Sequence, residues 1–141
     1  MDFKEVSAYE GPDESPGYLL WTLSNAWQRA IRAALAPHDL THVQFVLLAC
    51  LTWWESTGRP APTQRALADR AGADVMMASQ VLRTLEKANL IARSPHPEDT
   101  RALTISLTEQ GRVRAQAAFP SVEAADRAFF TANRKNFQRL T

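Results

Sequence analysis

Side chains that can read nucleic acid are concentrated in the middle of this chain, between residues 63 and 107. Gln80 carries an amide that offers a hydrogen-bond donor and acceptor together, which suits a bidentate contact with adenine. Arg101 carries a guanidinium, and the concentrated negative potential of a narrow A·T-rich minor groove attracts such a group. The alternatives are a solvated Gln80 and an ion pair of Arg101 with Asp99 or Glu98. These residue types predict recognition rather than bond-making chemistry.

The sequence has no arrangement that is typical of an enzyme. It lacks a Gly-rich phosphate loop, a nucleophile elbow, a His-Glu-x-x-His motif and a paired acidic motif. His38 and His42 are four residues apart, but Thr41 begins a new helix between them, so a shared zinc-binding face is not expected. We therefore expect no catalytic residue, no cofactor and no metal site.

Cys50 is the only cysteine, which excludes an intrachain disulfide framework and a cysteine-based zinc finger. A single cysteine also fits a reducing compartment. Cys50 lies in an apolar helical run with no Lys, Arg or His beside it in the sequence to lower its pKa, so we expect an inert, buried thiol. Redox sensing through Cys50 is the alternative.

Two helices carry most of the polar residues between 63 and 107. Thr63 caps a short helix that ends in a tight turn at Gly72, and Asp74 caps a longer helix that runs to about Ala88. The buried stripe of the longer helix is predicted to comprise Ala78, Val81, Leu82 and Leu85. The residues predicted to face outward near its start are Val75, Met76, Ser79, Gln80 and Arg83. Asn89 suits the left-handed position after the helix.

Two strands and a loop follow these helices. Leu90 to Arg93 forms a short first strand, and Leu103 to Leu107 alternates apolar and polar residues, as in a strand with one wet face. Pro95 to Arg101 is too long for a tight turn and projects between the strands. This order of elements predicts a winged helix-turn-helix, in which the second helix enters a DNA groove and the loop is the wing.

Apolar helices precede this unit. A stripe at steps of three and four residues predicts a helix from about Pro16 to Ala36 and comprises Leu20, Leu23, Trp27, Ile31 and Leu35. A Thr-x-x-Gln capping box at Thr41 begins a second helix. Its run from Val43 to Trp54 is apolar nearly all round, which predicts a core helix buried on every side. This run of 12 residues is shorter than the about 20 that a bilayer span needs, so no membrane segment is expected.

The C-terminal part is also predicted to be helical. Thr108 caps a helix to about Phe119, Pro120 kinks or interrupts it, and the helical pattern resumes towards Leu140. We expect one domain over residues 16–141, with the winged unit at about 40–108 between helices at about 16–36 and 109–141.

Charge is unevenly distributed, although the chain has a net charge of only +1. Residues 1–15 hold five carboxylates and one lysine, for a net charge of −4, and their Gly and Pro residues predict an extended or poorly ordered arm. The other residues carry +5, which suffices for modest attraction to phosphates. No secretory leader opens the chain, so a cytoplasmic protein is expected.

This pattern resembles the multiple antibiotic resistance regulator (MarR) family over nearly all of residues 18–140. The segments that carry the resemblance are LTHVQFVLLACL at 40–51, TQRALADRAG at 63–72, LRTLEKANLI at 82–91 and DTRALTISLTEQG at 99–111. The last is the most specific, since Asp-x-Arg in the wing, followed by a strand and then Leu-Thr-x-x-Gly, is a family hallmark.

The resemblance implies a mainly α fold with a small β-hairpin wing, flanked by N- and C-terminal dimerisation helices. It implies a homodimer that presents two winged units to a pseudo-palindromic DNA operator. It also implies a bacterial or archaeal regulator, commonly a repressor, released by a small aromatic or lipophilic effector. Candidates for stacking on an effector are Trp21, Trp27, Trp53 and Trp54, with plain core or interface packing as the alternative.

By position, the resemblance puts Ser79 and Gln80 where the family reads bases and Arg101 where a wing arginine enters the minor groove. Asp99 is expected to hold the loop of that arginine. Met76 or Met77 suits contact with a thymine methyl, although one of them can instead pack inward. The residues expected at phosphates are Thr63, Gln64, Arg65 and Arg83, and His96 is expected to meet phosphate or solvent.

Three residues depart from the family pattern at the start of the longer helix. Val75, Met76 and Met77 stand where the family usually has polar or basic residues. They leave a second function open, that of a winged-helix module which binds a protein partner through these residues and has little affinity for DNA.

Overall fold

A computed structural model describes residues 1–141. The helices are α1 (Pro16–Leu35), α2 (His42–Ser56), α3 (Gln64–Ala71), α4 (Val75–Lys87), α5 (Glu109–Ala132) and α6 (Arg134–Gln138). The strands are β1 (Ile91–Pro95) and β2 (Leu103–Leu107), which form one antiparallel hairpin between α4 and α5. The prediction of a mainly α fold with a hairpin wing is confirmed. By length and apolar composition no single helix can cross a membrane, and only α1 and α2 together, bent by 76°, pass that test.

One hydrophobic core joins the helices to the hairpin. The side chains that are fully buried in it are Ile31, Leu35, Leu47, Leu48, Leu51, Leu67, Leu82, Leu85, Leu90, Ile91 and Ile105. Helix α2 is central, because it packs against α1, α3, α4, α5 and β2. Its predicted burial on every side is wrong within one chain, since Trp53 is exposed and Cys50 is only half-buried.

Helix α1 buries most of its predicted stripe. Leu23, Ile31 and Leu35 are buried, and the Trp27 indole N–H donates a 2.7 Å hydrogen bond to Asp126 Oδ1 on α5. Leu20 is the exception, with 54% of its surface exposed. The start of the stripe is therefore only partly covered within the chain.

Local capping residues set the helix-turn-helix, as predicted. Thr63 Oγ1 accepts a hydrogen bond from the Ala66 N–H at the start of α3, and Asp74 Oδ2 accepts one from the Met77 N–H at the start of α4. Gly72 ends α3 with φ +66°, and Asn89 follows α4 with φ +61°. Both residues tolerate this left-handed conformation, so the boundaries of α3 and α4 follow from the sequence.

The second strand has its predicted bounds, 103–107, but the first strand begins and ends later than predicted. Ile91 pairs with Leu107 and Pro95 pairs with Leu103, so β1 covers 91–95 rather than 90–93 and the wing loop begins at His96. Pro95 is tolerated because a proline without an N–H can lie on an edge strand. The Ile105 N–H donates to the Pro62 carbonyl, which ties the start of α3 to the base of the wing.

Helix α5 is one continuous helix through Pro120, so the predicted interruption is not found. A proline removes one backbone hydrogen bond within a helix. Ala118 and Val122, on either side of Pro120, are buried against the core and hold the helical path.

The N-terminal arm is not fully extended. It contains short 3₁₀ helices at Phe3–Glu5 and Pro12–Glu14, and the Asp13 carbonyl accepts a 3.3 Å hydrogen bond from Arg139. The arm therefore lies against the same end of the molecule as the C-terminus.

Candidate nucleic-acid interface

Helix α4 presents a single outward row of side chains, which we call the outer row. Met76, Gln80, Arg83 and Lys87 follow one another at steps of four, three and four residues, so they lie above one another on one helical face. All four are exposed. The opposite face holds Ala78, Leu82 and Leu85 in the core. The DNA-binding residues predicted from the sequence include Met76, Gln80 and Arg83 but not Lys87. Lys87 follows Arg83 at the same helical spacing and could have been predicted in the same way.

The first turn of α4 is apolar, and we call it the apolar tip. It comprises Val75, Met76 and Met77, which are 42%, 74% and 41% exposed. Neither methionine packs inward, because the core face of this turn is occupied by Ala78. Ser79, on the flank of the helix, is only partly exposed.

The predicted phosphate-binding residues are not equally available. Arg65 and Arg83 are exposed and take no part in the ion pairs of the chain. The Thr63 hydroxyl is occupied as the cap of α3. Gln64 Oε1 accepts a 3.4 Å hydrogen bond from Arg93 Nη1. The two arginines are thus open to a ligand, whereas Thr63 and Gln64 also hold the local structure.

An ion pair that was not predicted from the sequence joins α4 to β1. Arg93 Nη2 lies 2.9 Å from Glu86 Oε1, and this hydrogen bond holds the pKa of Glu86 below its ordinary value. Together with the contact to Gln64, Arg93 links α3, α4 and the first strand of the wing. Residues seven and 29 positions apart in the sequence carry no periodic signal of such a contact.

The wing loop is closed by hydrogen bonds among its own residues. His96 N–H donates to the Ala102 carbonyl across the loop, at 2.9 Å. His96 Nδ1 accepts from the N–H groups of Glu98 and Asp99, at 3.0 and 3.3 Å. Asp99 Oδ1 then accepts from the backbone N–H and the Nε of Arg101, at 3.1 and 3.4 Å. His96 is therefore engaged inside the wing, and only its Nε2 is left for the predicted phosphate or solvent contact.

Arg101 is the outermost charge of the wing. Its side chain is 92% exposed although it pairs with Asp99. A surface ion pair of this kind contributes at most about 1 kcal/mol, so it orients the guanidinium without sequestering it. Asp99 thus accepts from both the backbone and the side chain of Arg101.

A second ion pair secures the base of the winged unit. Glu55, at the end of α2, receives two hydrogen bonds from Arg112 on α5, at 3.0 and 3.2 Å, and one from the Leu107 N–H. The hydrogen bond to Glu55 raises the pKa of Arg112 above its ordinary value. The end of β2 and the start of α5 are thereby fixed to the core helix.

The four tryptophans do not converge on one cavity. Trp21 is 66% exposed on α1. Trp27 lines a cavity of about 160 Å³ with Leu20, Leu23, Ser24, Phe130 and Phe137. This cavity lies between α1 and the C-terminal helices.

Trp53 and Trp54 lie near the C-terminal end of α2. Arg59 stands over both of their rings, 5.0 and 4.9 Å from the centroids, and Arg70 lies 4.6 Å from the ring of Trp53. The Trp54 indole also donates to the Pro60 carbonyl at 2.9 Å. These two rings are therefore occupied by cations of the chain itself.

His38 and His42 have separate partners. His38 Nε2 lies 2.9 Å from Ser121 Oγ, and the His42 ring packs edge-on against Trp27. Burial and the positive charge of Arg32 lower the pKa of His42, although Asp126 opposes them. Both histidines thus serve contacts between helices.

Cys50 is half-buried on α2, so the predicted burial of its thiol is only partial. Burial raises the pKa of Cys50, while the nearby Arg70 opposes the rise. The sequence did not show Arg70 as a neighbour because it lies 20 positions away on α3. The raised pKa disfavours the reactive thiolate.

Relatives of known sequence match most of this chain. Residues 40–103 match the model of the MarR family. An uncharacterized HTH-type transcriptional regulator of Bacillus subtilis, YdcH, is 47% identical over 92% of this chain and 87% of its own length. An HTH-type transcriptional repressor of Mycobacterium tuberculosis is 35% identical over 81% of this chain and 79% of its own.

Solved structures share the fold. CouR from Rhodococcus jostii RHA1, bound to p-coumaroyl-CoA, has a TM-score of 0.75 and 25% identity, over 87% of this chain and 83% of its own. A mutant MarR from E. coli complexed with operator DNA has a TM-score of 0.74 and 20% identity, over 82% of this chain and 80% of its own.

Proposed function

Because the chain belongs to the MarR family of DNA-binding transcriptional regulators, we propose that it is a homodimeric repressor of a pseudo-palindromic operator, relieved by a small aromatic or lipophilic effector. The family acts by binding DNA rather than by catalysis. Its place of action is the cytoplasm of a bacterium or archaeon, where the operator is.

The proposal rests on one observation. Helix α4 and the wing are both exposed, and both carry side chains that suit contact with DNA. The outer row of α4 offers an amide at Gln80 and guanidinium and ammonium groups at Arg83 and Lys87. The wing offers Arg101 on a loop that its own hydrogen bonds close. A helix of this kind fits the major groove, and a wing arginine fits the adjacent minor groove.

The contacts fall into three classes on this proposal. Gln80 and Ser79 face base edges, while Arg65, Arg83 and the ends of Thr63 and Gln64 meet phosphates, which fix the register without reading the sequence. Arg101 enters the minor groove, and Asp99 and His96 hold it there.

The homodimer rests on the uncovered apolar surface of α1 and the C-terminal helices. Leu20 and Phe130 are exposed beside the cavity that Trp27 and Phe137 also line. A second copy of this surface would cover it, and a twofold dimer would place two winged units on the two halves of a palindrome. The positive charge of residues 16–141 favours the approach to DNA.

An apolar effector suits the same region, since the cavity at Trp27 is lined almost wholly by hydrophobic side chains. Relief of repression then requires that the effector bind the DNA-free arrangement of the dimer more tightly than the DNA-bound one. Binding of p-coumaroyl-CoA by CouR supports an aromatic effector. Redox control through Cys50 is the weaker alternative, because burial raises the pKa of the thiol.

Selection of bound sequences from a random duplex pool tests the proposal. We expect a pseudo-palindromic site whose affinity falls steeply with salt, because phosphate contacts release counterions. Recovery of an asymmetric site would contradict the dimeric arrangement. Binding that is weak, insensitive to salt and without sequence preference would favour the alternative of a protein-binding module that uses the apolar tip.

A further inference from the structure

We propose that the apolar tip of α4 reads thymine methyl groups, so that each operator half-site has thymines where Val75, Met76 and Met77 meet the major groove. This inference rests on the proposed function, because it names what the reading helix selects. Sequence alone left open whether the methionines pack inward, and the structure decides this point. Three adjacent apolar side chains stay 41 to 74% exposed beside a core that buries 20 hydrophobic residues.

The place of the apolar tip determines what it can meet. It is the first turn of the second helix of the helix-turn-helix, and the N-terminal residues of that helix contact base edges in such proteins. The C5-methyl of thymine is the apolar group that the major groove displays. The one carboxylate beside the tip, Asp74, is turned back to cap the Met77 N–H at 3.1 Å. The most exposed side chains at the start of α4 are therefore apolar.

The rest of the outer row supports the same base pairs. Gln80 stands one turn behind Met76, and its amide matches the N6 and N7 of adenine. Arginine and lysine are the usual partners of guanine, but no basic residue occurs between Asp74 and Leu82. Arg83 is the first, and it lies two turns behind Met76, where the proposed function assigns it to a phosphate. The apolar tip and Gln80 thus suit both bases of an A·T pair, and the first two turns of α4 hold no arginine or lysine, the usual partners of guanine.

A protein partner fits the apolar tip less well. A helix that docks in a protein groove presents apolar anchors over two or more turns, at i, i+3 or i+4, and i+7. Here the outer row continues from Met76 into Gln80, Arg83 and Lys87, so the apolar surface ends after one turn. The basic continuation complements the phosphates of DNA.

Replacing thymine by uracil is the sharpest test, because it removes only the methyl group and keeps the base pairing. The duplex recovered by selection is prepared with deoxyuridine at single positions of each half-site. For the native protein we expect about fourfold weaker binding for each contacted methyl that is removed. A triple variant, V75A, M76A and M77A, should bind the thymine duplex more weakly and should bind both duplexes equally.

The variant K87A is the matched control, since it changes the same row without touching the apolar tip. It should weaken binding to both duplexes by the same factor and keep the preference for thymine. Equal binding of thymine and uracil duplexes by the native protein, with steep salt dependence intact, would overturn the inference and leave the proposed function standing. An undiminished thymine preference in the triple variant would also overturn it. Failure to select any duplex would overturn both.

Discussion

Arg101 is highly exposed and is oriented by its ion pair with Asp99, so we expect it to contribute strongly to operator binding. Replacing it with Ala should weaken operator binding by more than about tenfold at moderate salt, since an inserted guanidinium and its phosphate attraction are lost. The slope of log affinity against log salt should fall by about one, because one cation no longer displaces counterions. Gel-shift titrations at several salt concentrations measure both quantities. R29A, on the exposed side of α1, is the control, and unchanged affinity in R101A would remove this role.

His96 has a positioning role that its sequence context did not suggest. Its Nδ1 accepts two backbone N–H groups of the wing, so H96A leaves them without a partner inside the loop. H96A should weaken operator binding, and H96N should restore most of it, because an asparagine oxygen can accept from the same side. Faster hydrogen exchange at the Glu98 and Asp99 amides should accompany the loss.

A double-mutant cycle separates this positioning role from a direct contact of His96 with phosphate. If His96 acts through Arg101, H96A should cost little further affinity in the R101A background. Additive losses would instead assign a phosphate contact to the imidazole.

Among the elements, the close approach of α5 to Leu90, just before β1, explains the glycine of the family hallmark. A Cβ placed on Gly111 would overlap the Leu90 carbonyl and lie 3.3 Å from Leu107 Cδ2. We expect G111A to destabilise the protein by about 1–3 kcal/mol, because backbone must move to admit the methyl group. Urea unfolding measures this change. G17A is the control, because the added Cβ there meets only Ser15 Oγ at 3.9 Å, and equal stability of the two variants would contradict the close approach.

The junction of α1, α2 and α5 should respond to pH. His42 faces Trp27, Arg32 and Asp126, and burial with Arg32 lowers its pKa below the ordinary value of 6.5. The folded state therefore prefers the neutral ring, and its contribution to stability is present above pH 6.5 and is lost as the pH falls towards the lowered pKa. The variant H42Q should show a smaller loss of unfolding free energy between pH 7.5 and pH 5 than the native protein, as measured by urea titration. An equal loss in both proteins would show that other groups govern this range.

For the molecule as a whole, the proposed homodimer assigns assembly to the exposed apolar end of α1. L20E should shift the chain from dimer to monomer in sedimentation experiments, because a carboxylate cannot be buried without a partner at an apolar interface. The control is L103E. Leu103 is also an exposed leucine, but it lies on β2 at the wing, away from this surface of α1, so L103E should leave the dimer intact. A dimer that persists in L20E would move the interface elsewhere.

The winged unit was largely predictable because its signals are local. Caps at Thr63 and Asp74 and left-handed residues at Gly72 and Asn89 act over a few residues, so α3 and α4 have nearly the predicted bounds. Errors arose where distant packing decides the outcome. Pro120 lies inside a continuous α5 because the core holds both of its flanks, and β1 runs on to Pro95 because β2 pairs with it there.

The sequence by itself determined the family, the order of the elements and the residue types of the reading helix, since these depend on periodicity, capping and spacing along the chain. Only the tertiary structure decided which of those side chains are free. It brought Arg93 to Glu86 and Gln64, turned His96 into the wing, set Arg70 beside Cys50 and left the apolar tip uncovered. The contacts of Arg93 and Arg70 join residues of separate elements, and the linear order of a chain carries no signal of such meetings. The His96 contacts are local, but they depend on the folded path of the wing loop, and the exposure of the apolar tip depends on which face of α4 the core covers.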